Sequence, residues 1–157
     1  MKLEPSPVTP LRGTVADMLE IKGTQVHAIE PDATVYEAVA RMDERRVGAL
    51  LVMEGDRLVG ILSERDYTRK VILLGRASRD TRVAEIMSAK VISVSSATSL
   101  SECLRVVAQY GIRHLPVVDD GRVSGVLSVG DLVRAVLSQQ ADTIQSLNSF
   151  IASDYPR

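Results

Sequence analysis

The chain has 157 residues, 45% of them hydrophobic, enough for one compact domain or for two half-domains that share a core. Nineteen Lys and Arg stand against 20 Asp and Glu for a net charge of -1, and aromatic residues make up 3%, so nucleic acid is excluded as the main partner for want of a basic field and of stacking rings. No apolar run approaches the roughly 20 residues of a spanning helix, and the polar start MKLEPSPVTP is no signal peptide, so no membrane is expected and the cytoplasm is the expected compartment.

In chain order, residues 1–13 read as a flexible Pro-rich arm. A short lead-in, Val15-Ala16-Asp17-Met18-Leu19, is followed by a strand near 25–29. Thr34 three residues ahead of Glu37 is a capping box, and Val35, Ala38, Val39 and Met42 continue it as an amphipathic helix. Two β-rich runs, 49–53 and 58–63, flank the turn Glu54-Gly55-Asp56 as a hairpin, Gly48 is read as serving a strand, and a helix is expected over about 66–74. The pattern then recurs: a lead-in Val83-Ala84-Glu85-Ile86-Met87, a strand near 91–94, and a capping box at Ser99 and Glu102. A helix through Leu100, Cys103, Leu104 and Val107 stops at Gly111; a hairpin, 115–119 and 123–128, turns at Asp120-Gly121; a helix spans about 131–140. Within 141–157, Ile144, Leu147, Phe150 and Ile151 predict a separate last amphipathic helix that either closes the domain or meets another subunit.

A shift of 65 residues lays one half on the other without a gap from Ile29 to Arg69. Leu50 then falls on Leu115, Val52 on Val117, Gly60 on Gly125, Ser63 on Ser128 and Asp66 on Asp131. The expected fold is therefore α/β (α+β): two βαββα repeats, 14–75 and 82–140, packed with pseudo-twofold symmetry through their sheets, each lead-in lying across its neighbour.

Both repeats end their hairpin in Ser-x-x-Asp. Ser63 with Asp66, and Ser128 with Asp131, read as helix caps, and equally as a ribose clamp beside free backbone amides that suit a phosphate. Cys103 falls among apolar positions as a buried thiol. His27 and His114 lack neighbours at ligand spacing, so no metal site is expected. With no Gly-x-Gly-x-x-Gly after a strand, no Walker loop and no nucleophile-base cluster, the chain reads as no enzyme: no catalytic residue and no catalytic cofactor.

Gly60-Ile61-Leu62-Ser63-Glu64-Arg65-Asp66, Gly125-Val126-Leu127-Ser128-Val129-Gly130-Asp131 and Ile112-Arg113-His114-Leu115-Pro116-Val117-Val118-Asp119, with the two lead-ins, resemble a tandem CBS-domain (Bateman module) pair from about Val15 to Gln140. The resemblance implies a stand-alone signal-transduction module, usually a homodimer, that binds AMP, ATP, NAD(H) or another adenosine derivative in clefts between the repeats and acts through a separate, unidentified effector protein. It pairs Ser63 and Asp66 with Val91, Ile92, Arg113, His114 and Pro116, and pairs Ser128 and Asp131 with Val26, His27, Gly48, Ala49 and Leu51. Gly48 and Ala49 stand where the other repeat has Arg113 and His114, so the Ser63–Asp66 side is expected to be better made for a phosphate. Lys22, Lys90, Arg65 and Arg69 are candidate phosphate helpers or solvated charges. Arg113 also reads as a surface ion-pair residue, and His114 as a half-buried residue of the hairpin. Pro116 also reads as a residue that ends hydrogen bonding at a strand edge.

Overall fold

A computed structural model describes residues 11–154; the first ten residues of the expected N-terminal arm and the last three of the expected tail lie outside the described residues. Thr14 caps α1 (Val15–Lys22) in a full capping box with Asp17. In the first repeat follow β1 (Ala28–Ile29), α2 (Val35–Arg45), β2 (Ala49–Glu54), β3 (Arg57–Ser63) and α3 (Glu64–Tyr67). α3 runs into a π-helical turn, Thr68–Ile72, in which Leu73 N–H donates to Thr68 O at 3.1 Å. The second repeat has α4 (Val83–Ile86), α5 (Leu100–Tyr110), β4 (His114–Asp119), β5 (Arg122–Ser128) and α6 (Val129–Asp154).

The hairpins form where the alternation and turns place them, and the two share a detail that the offset of 65 preserves. β2 and β3 slip register between Val52 and Met53, and β4 and β5 slip between Val117 and Val118. A bulge at the same place in both strengthens the local twist.

The expected strand at 91–94 is reduced to one parallel bridge, Val94 to Val117. Its counterpart β1 pairs parallel with β2, Ile29 opposite Val52, and Leu51 N–H donates to His27 O at 3.0 Å. Pro116 occupies the place of Leu51 and has no N–H to donate, so the equivalent bond to residue 92 cannot form and the ladder shortens.

Three further expectations need correction. The two helices predicted over 131–140 and after 141 are one helix, α6, because no Gly or Pro stands between them. Thr34 makes the full capping box, whereas at Ser99 only the hydroxyl caps, with Glu102 turned to Arg105. Gly48 precedes β2 and is not part of it.

Two clusters of buried residues make the core, and each borrows the other repeat's lead-in. Val15, Met18 and Leu19 of α1 pack with Leu100, Cys103, Leu115, Leu127 and Leu132; Val83 and Ile86 of α4 pack with Ile29, Val35, Met42, Leu50 and Leu62. The crossing leaves no room for side chains where it touches the hairpins. A Cβ on Gly60 would sit 2.5 Å from Met87 Sδ, and one on Gly125 2.8 Å from Leu19 Cδ2. Cys103 is fully buried, and burial pushes its thiol pKa up to about 11.

Candidate functional site

β3 and β5 run beside each other where the repeats meet, and the Ser-x-x-Asp of each strand end opens onto a cleft walled by the other repeat. On the first side the cap is complete. Ser63 Oγ accepts from Asp66 N–H at 3.2 Å and donates to Asp66 Oδ2 at 3.0 Å, and Ser63 N–H donates to the same oxygen at 3.0 Å. Lys70 Nζ lies 3.1 Å from Asp66 Oδ1 and also donates to Ile86 O at 2.8 Å. The cleft in front, of about 300 Å³, is lined by Ser63, Glu64, Arg65 and Asp66 from one repeat and by Ser88, Arg113 and His114 from the other.

The second cleft is larger, about 430 Å³, which is within the range of small-molecule sites. Ser128, Asp131 and Arg134 line it from one repeat, His27, Arg46, Gly48, Ala49 and Leu51 from the other, with Lys22 at the end of α1. Asp131 is buried and both its oxygens are engaged. Oδ2 accepts from Ser128 N–H at 2.8 Å and from Lys22 Nζ at 2.6 Å, and Oδ1 from Arg134 Nη2 at 2.5 Å. Burial raises its pKa, but the Lys22 ammonium and the Ser128 amide outweigh that and hold the carboxyl below its ordinary value.

The difference in size has a backbone origin. After its single turn α4 gives way to extended chain, and Ser88 pairs with Ile61: Ile61 N–H donates to Ser88 O at 3.0 Å and Ser88 N–H to Ile61 O at 2.9 Å. The free edge of β3 is thereby closed. α1 continues as helix to Lys22 and makes no such pairing with β5, and the Lys22 ammonium donates to the carbonyl of Val126, the residue equivalent to Ile61, at 2.5 Å.

His114 and Gly48 line both clefts, as does Ile61. Burial first, then Lys22 and Arg113, push the imidazole pKa of His114 below its ordinary value against the pull of Asp131 and Glu64, so the ring is neutral near pH 7.

Among the residues singled out in the sequence, the structure gathers Ser63, Asp66, Arg65, Arg113 and His114 around one cleft, and Ser128, Asp131, His27, Gly48, Ala49, Leu51 and Lys22 around the other. Val91, Val26 and Pro116 line neither, and Ile92 packs against the core. Lys90 and Arg69 are exposed and also line neither. The Asp131 side has Gly48 and Ala49 in place of Arg113 and His114, yet other cations reach it. Lys22, Arg46 and Arg134 line it together with both histidines, whereas Arg65 and Arg113 on the Asp66 side are balanced by Glu64 and Asp66.

Arg46 escaped the sequence reading for a structural reason. It ends α2 with φ 54° and ψ 46°, the left-handed conformation that Gly111 adopts at the equivalent end of α5. A side-chain-bearing residue there costs about 1 kcal/mol or more, so sequence alone gives no cause to place it. Among the described residues no group of His, Cys, Asp and Glu could hold a metal ion, and no helix is long and apolar enough to cross a membrane.

Residues 17–72 and 83–138 each match the sequence pattern of the CBS domain. The mitochondrial CBS domain-containing protein CBSX3 of Arabidopsis thaliana is 38% identical over 151 residues, 90% of this chain and 73% of its own. Among solved structures, a CBS-domain protein from Burkholderia ambifaria MC40-6 put forward as a signal-transduction protein shares 44% identity at a TM-score of 0.78, over 82% of this chain and 96% of its own. CBSX2 in complex with AMP is 28% identical at a TM-score of 0.67, over 81% and 98%.

Proposed function

The chain belongs to the CBS-domain family, and we propose that it is an adenosine-nucleotide-binding regulatory module whose ligand-dependent shape is read by a separate effector protein. The observation that carries this reading is the matched pair of Ser-x-x-Asp corners, each facing a cleft walled by the opposite repeat. An ionised carboxylate there can accept from both hydroxyls of a ribose, and the neighbouring cations suit phosphate oxygens. The AMP complex of CBSX2 supports the ligand class. AMP, ATP and NAD(H) share the adenosine half that such a corner grips, which makes the module suited to sensing energy state. The cytoplasm is the compartment we propose for this role.

Calorimetry and thermal denaturation with adenosine, AMP, ATP, NAD and S-adenosylmethionine test the reading. Binding by at least one of them, weakened by Asp66→Asn or Asp131→Asn, is expected; no heat and no shift in Tm with any at millimolar ligand would sink it, leaving a structural module with vestigial clefts.

A homodimer is part of the proposal. α6 continues far beyond the core, and Val133, Leu137, Ile144, Leu147 and Ile151 are exposed along it at coiled-coil spacing, with uncharged Ala141, Thr143 and Asn148 flanking the seam. An exposed apolar seam of this kind is suited to the same seam of a second copy. Sedimentation is expected to give twice the chain mass, reverting to one chain mass on Leu147→Glu; a wild-type monomer at micromolar concentration would refute it.

A further inference from the structure

We propose that the Asp131 cleft is the seat of a nucleoside di- or triphosphate held by Arg46, Lys22 and Arg134, and that the Asp66 cleft takes an adenosine ligand with no more than one phosphate. The assignment rests on the nucleotide reading above and reverses the order expected from the sequence. Three independent features carry it.

The first is charge. Among the described residues, three cations face one carboxylate in the Asp131 cleft, whereas two cations face two carboxylates in the Asp66 cleft. Each added phosphate brings negative charge, and the Asp131 cleft has the positive surplus to meet it.

The second is where the cations are kept. With the cleft empty, Lys22 and Arg134 occupy the two oxygens of Asp131. The hydroxyls of a ribose are donors to those same oxygens, so an arriving ribose shares the carboxylate with the two cations, whose remaining N–H groups face acceptors elsewhere on the same ligand. Lys22 retains its anchor on Val126 O, which keeps the ammonium at the cleft. On the Asp66 side the corresponding cation, Lys70, is tied to Ile86 O and lines neither cleft, and the closed edge of β3 leaves a smaller space.

The third is strain. Arg46 holds the left-handed conformation that glycine fills at the same point of the other repeat. Its amide still closes α2 on Asp43 O at 3.2 Å, a backbone bond that needs no side chain. What glycine cannot supply is the guanidinium in the Asp131 cleft. Backbone strain retained at a cleft is accounted for by that side chain's service to a ligand.

The test uses the full chain with one cleft disabled at a time. In Asp66→Asn protein, ADP is expected to bind at least about tenfold tighter than adenosine, the increment of one good charge-assisted contact. Adding Arg46→Gly, which installs the residue the second repeat already uses, is expected to weaken ADP at least about fivefold more than adenosine, without lowering the unfolding midpoint. In Asp131→Asn protein, ADP is expected to gain less than about threefold over AMP. Equal affinities for adenosine and ADP in the Asp66→Asn protein, or an Arg46→Gly effect that is the same for both, would overturn the assignment while leaving the nucleotide reading intact. Failure of every adenosine compound to bind the wild-type chain would overturn both.

Discussion

Asp131 is 4% exposed and ionised, a combination that holds only because Lys22, Arg134 and the Ser128 amide share its charge. Its folded pKa is depressed, so the unfolded chain binds the proton more readily. The resulting stability is full above the unfolded value, near pH 4, and is lost as pH falls through the folded value. Asp131→Asn keeps the shape and one acceptor but gives up the charge. It is expected to cost about 1–2 kcal/mol at pH 7, with the gap from wild type closing towards pH 3. Urea unfolding at the two pH values measures it; a gap of the same size at both would show that hydrogen-bond geometry, and not ionisation, stabilises the corner. His114 contributes with the same pH sign in a higher window: its depressed pKa means stability falls as pH drops below about 6.5, where the unfolded imidazole takes a proton that the folded one resists.

At the level of elements, the lead-ins act through contact with glycine. Gly125 is buried on β5, with Leu19 of α1 against it, and Gly125→Ala would force a methyl to within 2.8 Å of a leucine that is itself 7% exposed. A loss of about 1–3 kcal/mol is expected. Leu19→Ala should cost a similar amount by leaving a cavity, yet the double variant should cost less than the two together, because the added methyl then has space. Strict additivity in a denaturant-melt cycle would mean that the two side chains do not compete for the same volume.

Much of this level could be read from the sequence because it is local: the capping box at Thr34, the hairpin turns and the αL stop at Gly111 are each written within a few neighbouring residues. What escaped depends on partners distant in sequence or on backbone conformation. The π turn after α3 has no residue signature, and the loss of the strand at 91–94 is legible only once Pro116 is known to face it. Ser63, Asp66, Ser128 and Asp131 were found because the repeat displays them twice. Arg46 was hidden behind an unfavourable φ, and Arg134, three residues from Asp131, resembles an ordinary surface pair until Lys22 is seen on the other oxygen.

For the whole molecule, the crossing of the lead-ins decides what can fold alone. A chain cut between the repeats near residue 76 leaves α1 with the first repeat, although its apolar residues belong to the second core, and leaves α4 with the second, although its residues complete the first. Each half then lacks about three core side chains, a deficit of several kcal/mol on the usual scale of 1.5–3 kcal/mol for each, comparable to the entire stability of a small domain. Neither half is expected to show a cooperative thermal transition by circular dichroism, and an equimolar mixture is expected to recover one. A half that melts cooperatively by itself would show that the borrowed lead-in is dispensable.

Gly48, Ile61 and His114 each face both clefts, so the partition between them is one residue thick. A ligand that moved or protonated His114 from one side would change the wall of the other cleft. By linkage the influence must be mutual: the factor by which the first ligand changes the second's dissociation constant is the factor by which the second changes the first's. If both clefts bind as proposed, occupancy of either one would then depend on the concentrations of both ligands.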